Sequence, residues 1–259
     1  MVSHFCGYLH YFFTAQGKHQ VHSPFVFEFV TKVTNGKSQS AAFFPIEKLR
    51  NELLNNHEEI NVTDFGTAWG GPKTYLRKIS AIAKHSAKPV KYAQLLFRII
   101  NYFKPETILE LGTSFGISTL YMAVANAQSQ LITIEGCPET SAIAKQNFQK
   151  LGFKNIHSET GNFDDVLNKI LPGIEKLDLV FVDGNHQKDA TLNYFQKCIA
   201  KCHSKSIFIF DDINYSVGMQ QAWREIKSNS AVTVTVDLFV MGVVFFNPEL
   251  TKQDFVIRF

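Results

Sequence analysis

The sequence predicts an α/β fold: a doubly wound, mostly parallel sheet of seven strands, with a mainly helical N-terminal extension. Three observations predict it. From about residue 86 onward, apolar runs of strand length alternate with amphipathic segments of helix length. Strand after strand closes on an acid, at Glu110, Glu135, Asp183 and Asp211. The first of these runs enters a tight turn, Gly112-Thr113-Ser114-Phe115-Gly116, with a helix start at Ile117 or Ser118. Ligands of open α/β sheets bind outside the carboxyl ends of the strands, so the acids mark one edge as the candidate site.

Composition bounds the rest. A chain of 259 residues suits one large α/β domain plus an accessory segment, divided here into residues 1–85 and 86–259. With 45% hydrophobic and 19% charged residues it can bury a sizeable core. The net charge of +3 is small and dispersed, which argues against a nucleic-acid partner. Cys6, Cys137, Cys198 and Cys202 form no CxxC pair, and no His/Cys cluster completes a zinc site. Reduced thiols in a cytoplasmic protein are expected. No basic stretch leads into an apolar core at the start, and no run is long enough to span a membrane.

Taken in order, residues 1–35 are rich in aromatics and histidines (His4, His10, His19, His22). The histidine spacings make no helical i,i+4 pair, so packing or pocket lining is expected rather than a metal. Ser23-Pro24 reads as a cap and first position of a helix. Residues 44–56 read as an amphipathic helix. The stretch 62–72, broken by Gly70-Gly71-Pro72, reads as an ordered loop: either a surface turn or a lid with Trp69 as a wall. Helices are expected over 74–84 and 90–103. The strands follow at 107–111, 130–134, 155–159, 177–182 and 206–210, with helices between them. Two more strands, 232–238 and 242–246, are close enough to form an antiparallel hairpin.

The loop reads Glu110-x-Gly112-x-x-x-Gly116, not G-x-G-x-x-G, which disfavours a NAD-dependent oxidoreductase. It resembles the first motif of class I S-adenosylmethionine-dependent methyltransferases, above all the branch of the catechol and caffeoyl-CoA O-methyltransferases. The whole layout, including His22-Ser23-Pro24-Phe25-Val26-Phe27, is similar to that of a group of methyltransferases from Bacteroidetes-type bacteria. The resemblance starts near residue 86 and implies the cofactor S-adenosylmethionine. It implies that Glu110, Gly112, Thr113, Ser114, Gly116 and Ser118 build the loop against the cofactor. Glu135, at the tip of the second strand, would hold the ribose, Asn162 and Phe163 the adenine, and Asp183 the cationic amine.

Val180-Phe181-Val182-Asp183-Gly184-Asn185-His186 resembles the fourth-strand segment of those enzymes, where a basic side chain stands three residues after the acid. An imidazole, with an ordinary pKa of about 6.5, can take a proton from a hydroxyl, so His186 is the candidate base beside Asp183. Lys188, two residues on, reads as a solvated charge. Metal-dependent members have Asp-Asn after the fifth strand; this chain has Asp211-Asp212. With Asp183 they make three hard oxygen ligands suited to Mg²⁺, Mn²⁺ or Ca²⁺. The resemblance implies O-methylation of a small molecule, with an aromatic acceptor among those expected. N-methylation of an amine or protein stays open, as does a noncatalytic S-adenosylmethionine-binding role. Residues 1–85 are expected to form a substrate lid or the interface of a homodimer.

Overall fold

The computed structural model describes residues 2–38, 40–64 and 73–259. The chain opens with α1 (Val2–Thr14) and α2 (Pro24–Phe29). Ser23 caps α2 by accepting the Val26 N–H at 3.4 Å, and Pro24 fills its first position. A wider π-helical turn, Val30–Thr34, prolongs it. Then come α3 (Phe43–Leu54), the antiparallel strands β1 (Glu59–Asp64) and β2 (Lys73–Lys78), α4 (Ile79–Ser86) and α5 (Val90–Phe103). The alternating part follows: β3 (Thr107–Leu111), α6 (Ile117–Ala125), β4 (Gln130–Glu135), α7 (Pro138–Lys150), β5 (Ile156–Thr160) and α8 (Phe163–Ile170). It continues through β6 (Leu179–Val182), α9 (Lys188–Ile199), β7 (Ile207–Phe210), α10 (Val217–Ser228), β8 (Val234–Asp237), β9 (Gly242–Phe245) and β10 (Gln253–Val256). No described helix is long and apolar enough to cross a membrane.

Two compact units divide the chain: Lys37–Ile170, and Met1–Gly36 with Leu171–Phe259. In the first, β3, β4 and β5 pair in parallel, with Leu109 opposite Ile132 and Ile132 opposite His157. Phe43, Ile46, Leu120, Tyr121 and Phe148 form part of its buried core. The β1–β2 hairpin is fastened to the start of α7: the Asn61 N–H donates to Glu139 Oε2 at 2.7 Å and the Thr63 N–H to Cys137 Sγ at 3.4 Å. In the second unit β6 and β7 are parallel, β9 is antiparallel to both β7 and β8, and β10 is parallel to β8. There α1 rests on the C-terminal segment. The Tyr11 hydroxyl donates to Ile257 O at 2.6 Å, and the Arg258 guanidinium donates to Phe12 O at 3.0 Å and Ala15 O at 3.4 Å.

The α/β pattern with mostly parallel strands is as expected, and the reversed strand is β9. Three elements differ. The helix expected over 74–84 begins only at Ile79, because Thr74 and Tyr75 pair with Thr63 and Val62 across the hairpin. Long-range pairing here overrides the apolar spacing of Leu76, Ile79 and Ile82. Val62–Asp64, expected in a loop, ends β1; residues 65–72, with Trp69 and the lid expected there, lie outside the described residues. β10 makes eight strands in the alternating part instead of seven. Its four residues bury only Phe255, so no apolar run announces it. His10, His19 and His22 are exposed rather than packed in the core.

Candidate active site

The glycine loop belongs to unit Lys37–Ile170. Its backbone turns through three left-handed residues, Gly112 (φ 105°), Ser114 (φ 48°) and Gly116 (φ 86°). The Gly112 and Thr113 N–H groups donate to Ile134 O at 2.9 and 3.3 Å, stitching the loop to the end of β4. At Gly116 a Cβ would meet Phe148 Cε1 at 2.3 Å, so both the φ angle and the close approach require glycine.

Beneath the loop lies Glu110, with no solvent exposure. Its Oε1 accepts the Ser118 hydroxyl at 2.7 Å, and its Oε2 accepts the hydroxyls of Thr119 at 2.5 Å and Thr133 at 2.7 Å. Thr133 in turn lies 2.5 Å from the Thr113 hydroxyl. Burial pushes the Glu110 carboxyl above its ordinary range and Glu135 adds to the rise, while the three hydroxyl donors oppose it. Glu110 and Ser118 face each other, and their hydrogen bond braces the loop from below. Thr119 and Thr133 were not anticipated. A threonine inside the apolar run Leu131-Ile132-Thr133-Ile134 is the signal that points to Thr133.

Glu135 ends β4. Its Oε2 accepts the Ser114 N–H at 2.7 Å and its Oε1 the Cys137 N–H at 2.9 Å. Burial raises its carboxyl and these backbone donors counter the shift. The Gly161 N–H donates to Glu135 O at 2.9 Å, which fixes the loop carrying Asn162 and Phe163 to the end of β4. Asn162 starts α8, its Oδ1 accepting the Asp164 N–H at 2.9 Å, and Phe163 is the first helical residue. Ser86, the last residue of α4, places its Oγ 2.6 Å from Ser114 Oγ, a loop partner that the sequence does not announce. One unit therefore gathers Glu110, Gly112, Thr113, Ser114, Gly116, Ser118, Glu135, Asn162 and Phe163.

The other unit gathers Asp183, His186, Asp211 and Asp212. The Asp211 N–H donates to Val182 O at 2.9 Å, so the ends of β6 and β7 lie side by side. After Asp183 the chain bends at left-handed Asn185 (φ 52°), whose Nδ2 donates to the Tyr194 hydroxyl at 3.1 Å. His186 follows, its Nε2 at an ion-pair distance of 3.8 Å from Asp212 Oδ2; each side chain is about a third exposed. Asp212 is also left-handed (φ 54°), and its carbonyl accepts the Tyr215 N–H at 2.9 Å. The exposed Tyr215 ring stands 6.1 Å from the imidazole. Lys188 is taken up by Glu225, Nζ to Oε1 2.5 Å.

The divalent-cation expectation does not fit these residues. Asp211 is buried, Asp212 faces His186, and among the described residues no three His, Cys, Asp or Glu side chains converge on one point. Asp183, Asp211 and Asp212 are therefore not assigned as a metal centre.

Residues 109–213 match the family described as Methyltransferase domain. A catechol O-methyltransferase of Niastella koreensis is 30% identical over 126 residues, covering 48% of this chain and 55% of that protein. One from Mycobacterium tuberculosis is 28% identical over 130 residues, covering 49% and 56%. The chain thus spans about half the length of the curated relatives it matches. Among solved structures, the S-adenosylhomocysteine-bound methyltransferase PaMTH1 of Podospora anserina superposes with a TM-score of 0.60 at 13% identity, over 87% of this chain and 97% of that one. The O-methyltransferase TomG of Streptomyces achromogenes, in complex with SAM, gives a TM-score of 0.55 at 22% identity over 62% and 82%. At these identities the structures speak to the fold alone. Residues 109–213 thus match a methyltransferase domain, the chain is similar in sequence to catechol O-methyltransferases over about half their length, and it shares the fold of solved methyltransferases.

Proposed function

We propose that the chain transfers the methyl group of S-adenosylmethionine to a hydroxyl of a small aromatic molecule. The observation that carries the reading is the pairing of His186 with Asp212 beyond the ends of β6 and β7. Asp212, at ion-pair distance, favours the imidazolium that forms when the ring takes up a proton. As the oxygen attacks the sulfonium methyl, its proton passes to the imidazole, the C–S bond breaks, and S-adenosylhomocysteine leaves with the electron pair on sulfur. The methyl is already activated, so the protein has to orient the two reactants, remove that proton and exclude water.

In this reading the loop from Gly112 to Gly116 lies against the methionine part, and Glu135 accepts the ribose hydroxyls on its remaining lone pairs. Asn162 and Phe163 flank the adenine, and Asp183 pairs with the amine. Residues 1–85 border the acceptor as a lid. The relatives named as catechol O-methyltransferases support an aromatic diol as the first acceptor to try.

The test has two arms. S-adenosylhomocysteine titrated calorimetrically should bind one per chain, and adding Mg²⁺ should leave its affinity unchanged. Labelled methyl from S-adenosylmethionine should then appear on catechol. His186→Ala should lower kcat by about 10²–10⁴-fold with S-adenosylhomocysteine affinity kept. Binding without transfer to any hydroxyl acceptor would overturn the enzymatic reading in favour of a cofactor-binding protein. Transfer that survives intact in His186→Ala would remove His186 as the base.

A further inference from the structure

The N-terminal helix reaches the acid–base pair through the turn between β8 and β9, and this inference rests on the reading of His186 as base. α1 contains no Asp, Glu, Lys or Arg, and one of its faces is docked. The rings of Tyr8 and Tyr11 lie 5.1 and 5.2 Å from the ring of Phe239. Phe239 holds a left-handed backbone (φ 70°), a conformation that a bulky residue keeps only when its surroundings fix it. Its N–H donates to Asp237 Oδ1 at 2.7 Å.

On its far side the same turn grips the segment after β7. Phe239 O accepts Asn214 Nδ2 at 2.8 Å, and Val240 O accepts the Ile213 N–H at 3.1 Å. Ile213 and Asn214 directly follow Asp212, the second left-handed residue, whose carboxylate faces His186. Two backbone segments in unfavourable conformations are thus joined by a pair of hydrogen bonds. Aromatic packing on α1 holds one of them, and the other carries the partner of the imidazole.

We propose that Tyr8, Phe239 and Asn214 are positioning residues for the His186–Asp212 pair. The α1 rings keep Phe239 left-handed, its carbonyl holds Asn214, and the Asp212–Tyr215 turn is thereby set. None of the three touches the reacting atoms. If the ring contacts are lost while a Cβ remains at position 239, the backbone relaxes toward negative φ, and the carbonyl swings away from Asn214.

Backbone strain makes the test specific. Phe239→Ala removes the ring and keeps the strain; Phe239→Gly removes both, since glycine adopts this φ freely. Amide hydrogen exchange at Ile213 and Tyr215 and the imidazole NMR resonances of His186 are read in each, together with S-adenosylhomocysteine affinity. In Phe239→Ala exchange at both amides should rise about tenfold and the His186 resonances should move, with cofactor affinity unchanged. Phe239→Gly should return both readouts to parental values, although it buries less. Tyr8→Ala, at a half-exposed ring, should act like Phe239→Ala if that variant folds poorly, and Phe239→Gly should rescue it. A kcat/KM for catechol that falls in Phe239→Ala and recovers in Phe239→Gly is the expected functional counterpart. Glycine behaving as badly as alanine, or alanine and Tyr8→Ala both leaving Ile213, Tyr215 and His186 unmoved, would overturn the relay. If the parent chain methylates no acceptor, the assignment of the base fails, while the exchange and NMR readouts still decide the relay.

Discussion

At Gly116 a missing methyl group decides the shape of the loop, because the ring of Phe148 occupies the place of a side chain. Gly116→Ala must strain a left-handed backbone and push Phe148 aside at once. It should destabilise the protein by about 2–4 kcal/mol, the combined scale of a strained backbone and an overpacked contact. Thermal unfolding reads the stability, and calorimetry should show weakened S-adenosylhomocysteine binding. The need for glycine here was legible, because a glycine opening a helix after an apolar strand has few other uses. So were the places of Glu135, which ends β4, and of His186, in the turn after β6. The inward turn of Glu110 was not. Its partners Thr119 and Thr133 lie 9 and 23 residues away, and only the folded register of β3, α6 and β4 brings them to one carboxylate.

Among the elements, α5 and β3 were readable to the residue, since a strongly amphipathic helix and a buried strand announce themselves by period alone. The β1–β2 hairpin was not, because β2 is almost wholly exposed and half polar, and the hairpin is held by its pairing and by Glu139 and Cys137, with Ile60 and Val62 only partly buried against the core. Nor was the seat of α1. Arg258, two residues past β10, donates to the Phe12 carbonyl in the last turn of α1 and to the Ala15 carbonyl just past it, and lies 5.1 Å from the Phe12 ring. Arg258→Ala should loosen α1 by about 1 kcal/mol, the scale of a lost cap with its cation–π contact. Hydrogen exchange should quicken on α1 while the amides of α6 keep their parental rates. Equal acceleration on both helices would mean that Arg258 supports the protein generally.

For the molecule as a whole, buried carboxyls set the pH dependence of stability. Glu110, Glu135 and Asp237 are all pushed above their ordinary values by burial. A carboxyl raised in this way binds its proton more readily in the folded chain than in the unfolded one. Stability therefore falls as pH rises from the ordinary value, 4.5 for the two glutamates, through the folded-state value, and then levels off. Acidification from neutrality toward that lower bound should add stability. Glu110→Gln should show a smaller gain than the parent when urea unfolding is compared at neutral and mildly acidic pH; an equal gain would mean that Glu110 is not one of the groups responsible. The Glu110 cluster also has a consequence for how this sequence can drift over generations. Three hydroxyls from α6 and β4 converge on one carboxylate, so a change at any one position leaves a buried group without its partner. Substitutions there should be tolerated together and purged singly: Glu110, Ser118, Thr119 and Thr133 ought to vary among descendants as one inherited block, while the solvent face of α7 wanders freely.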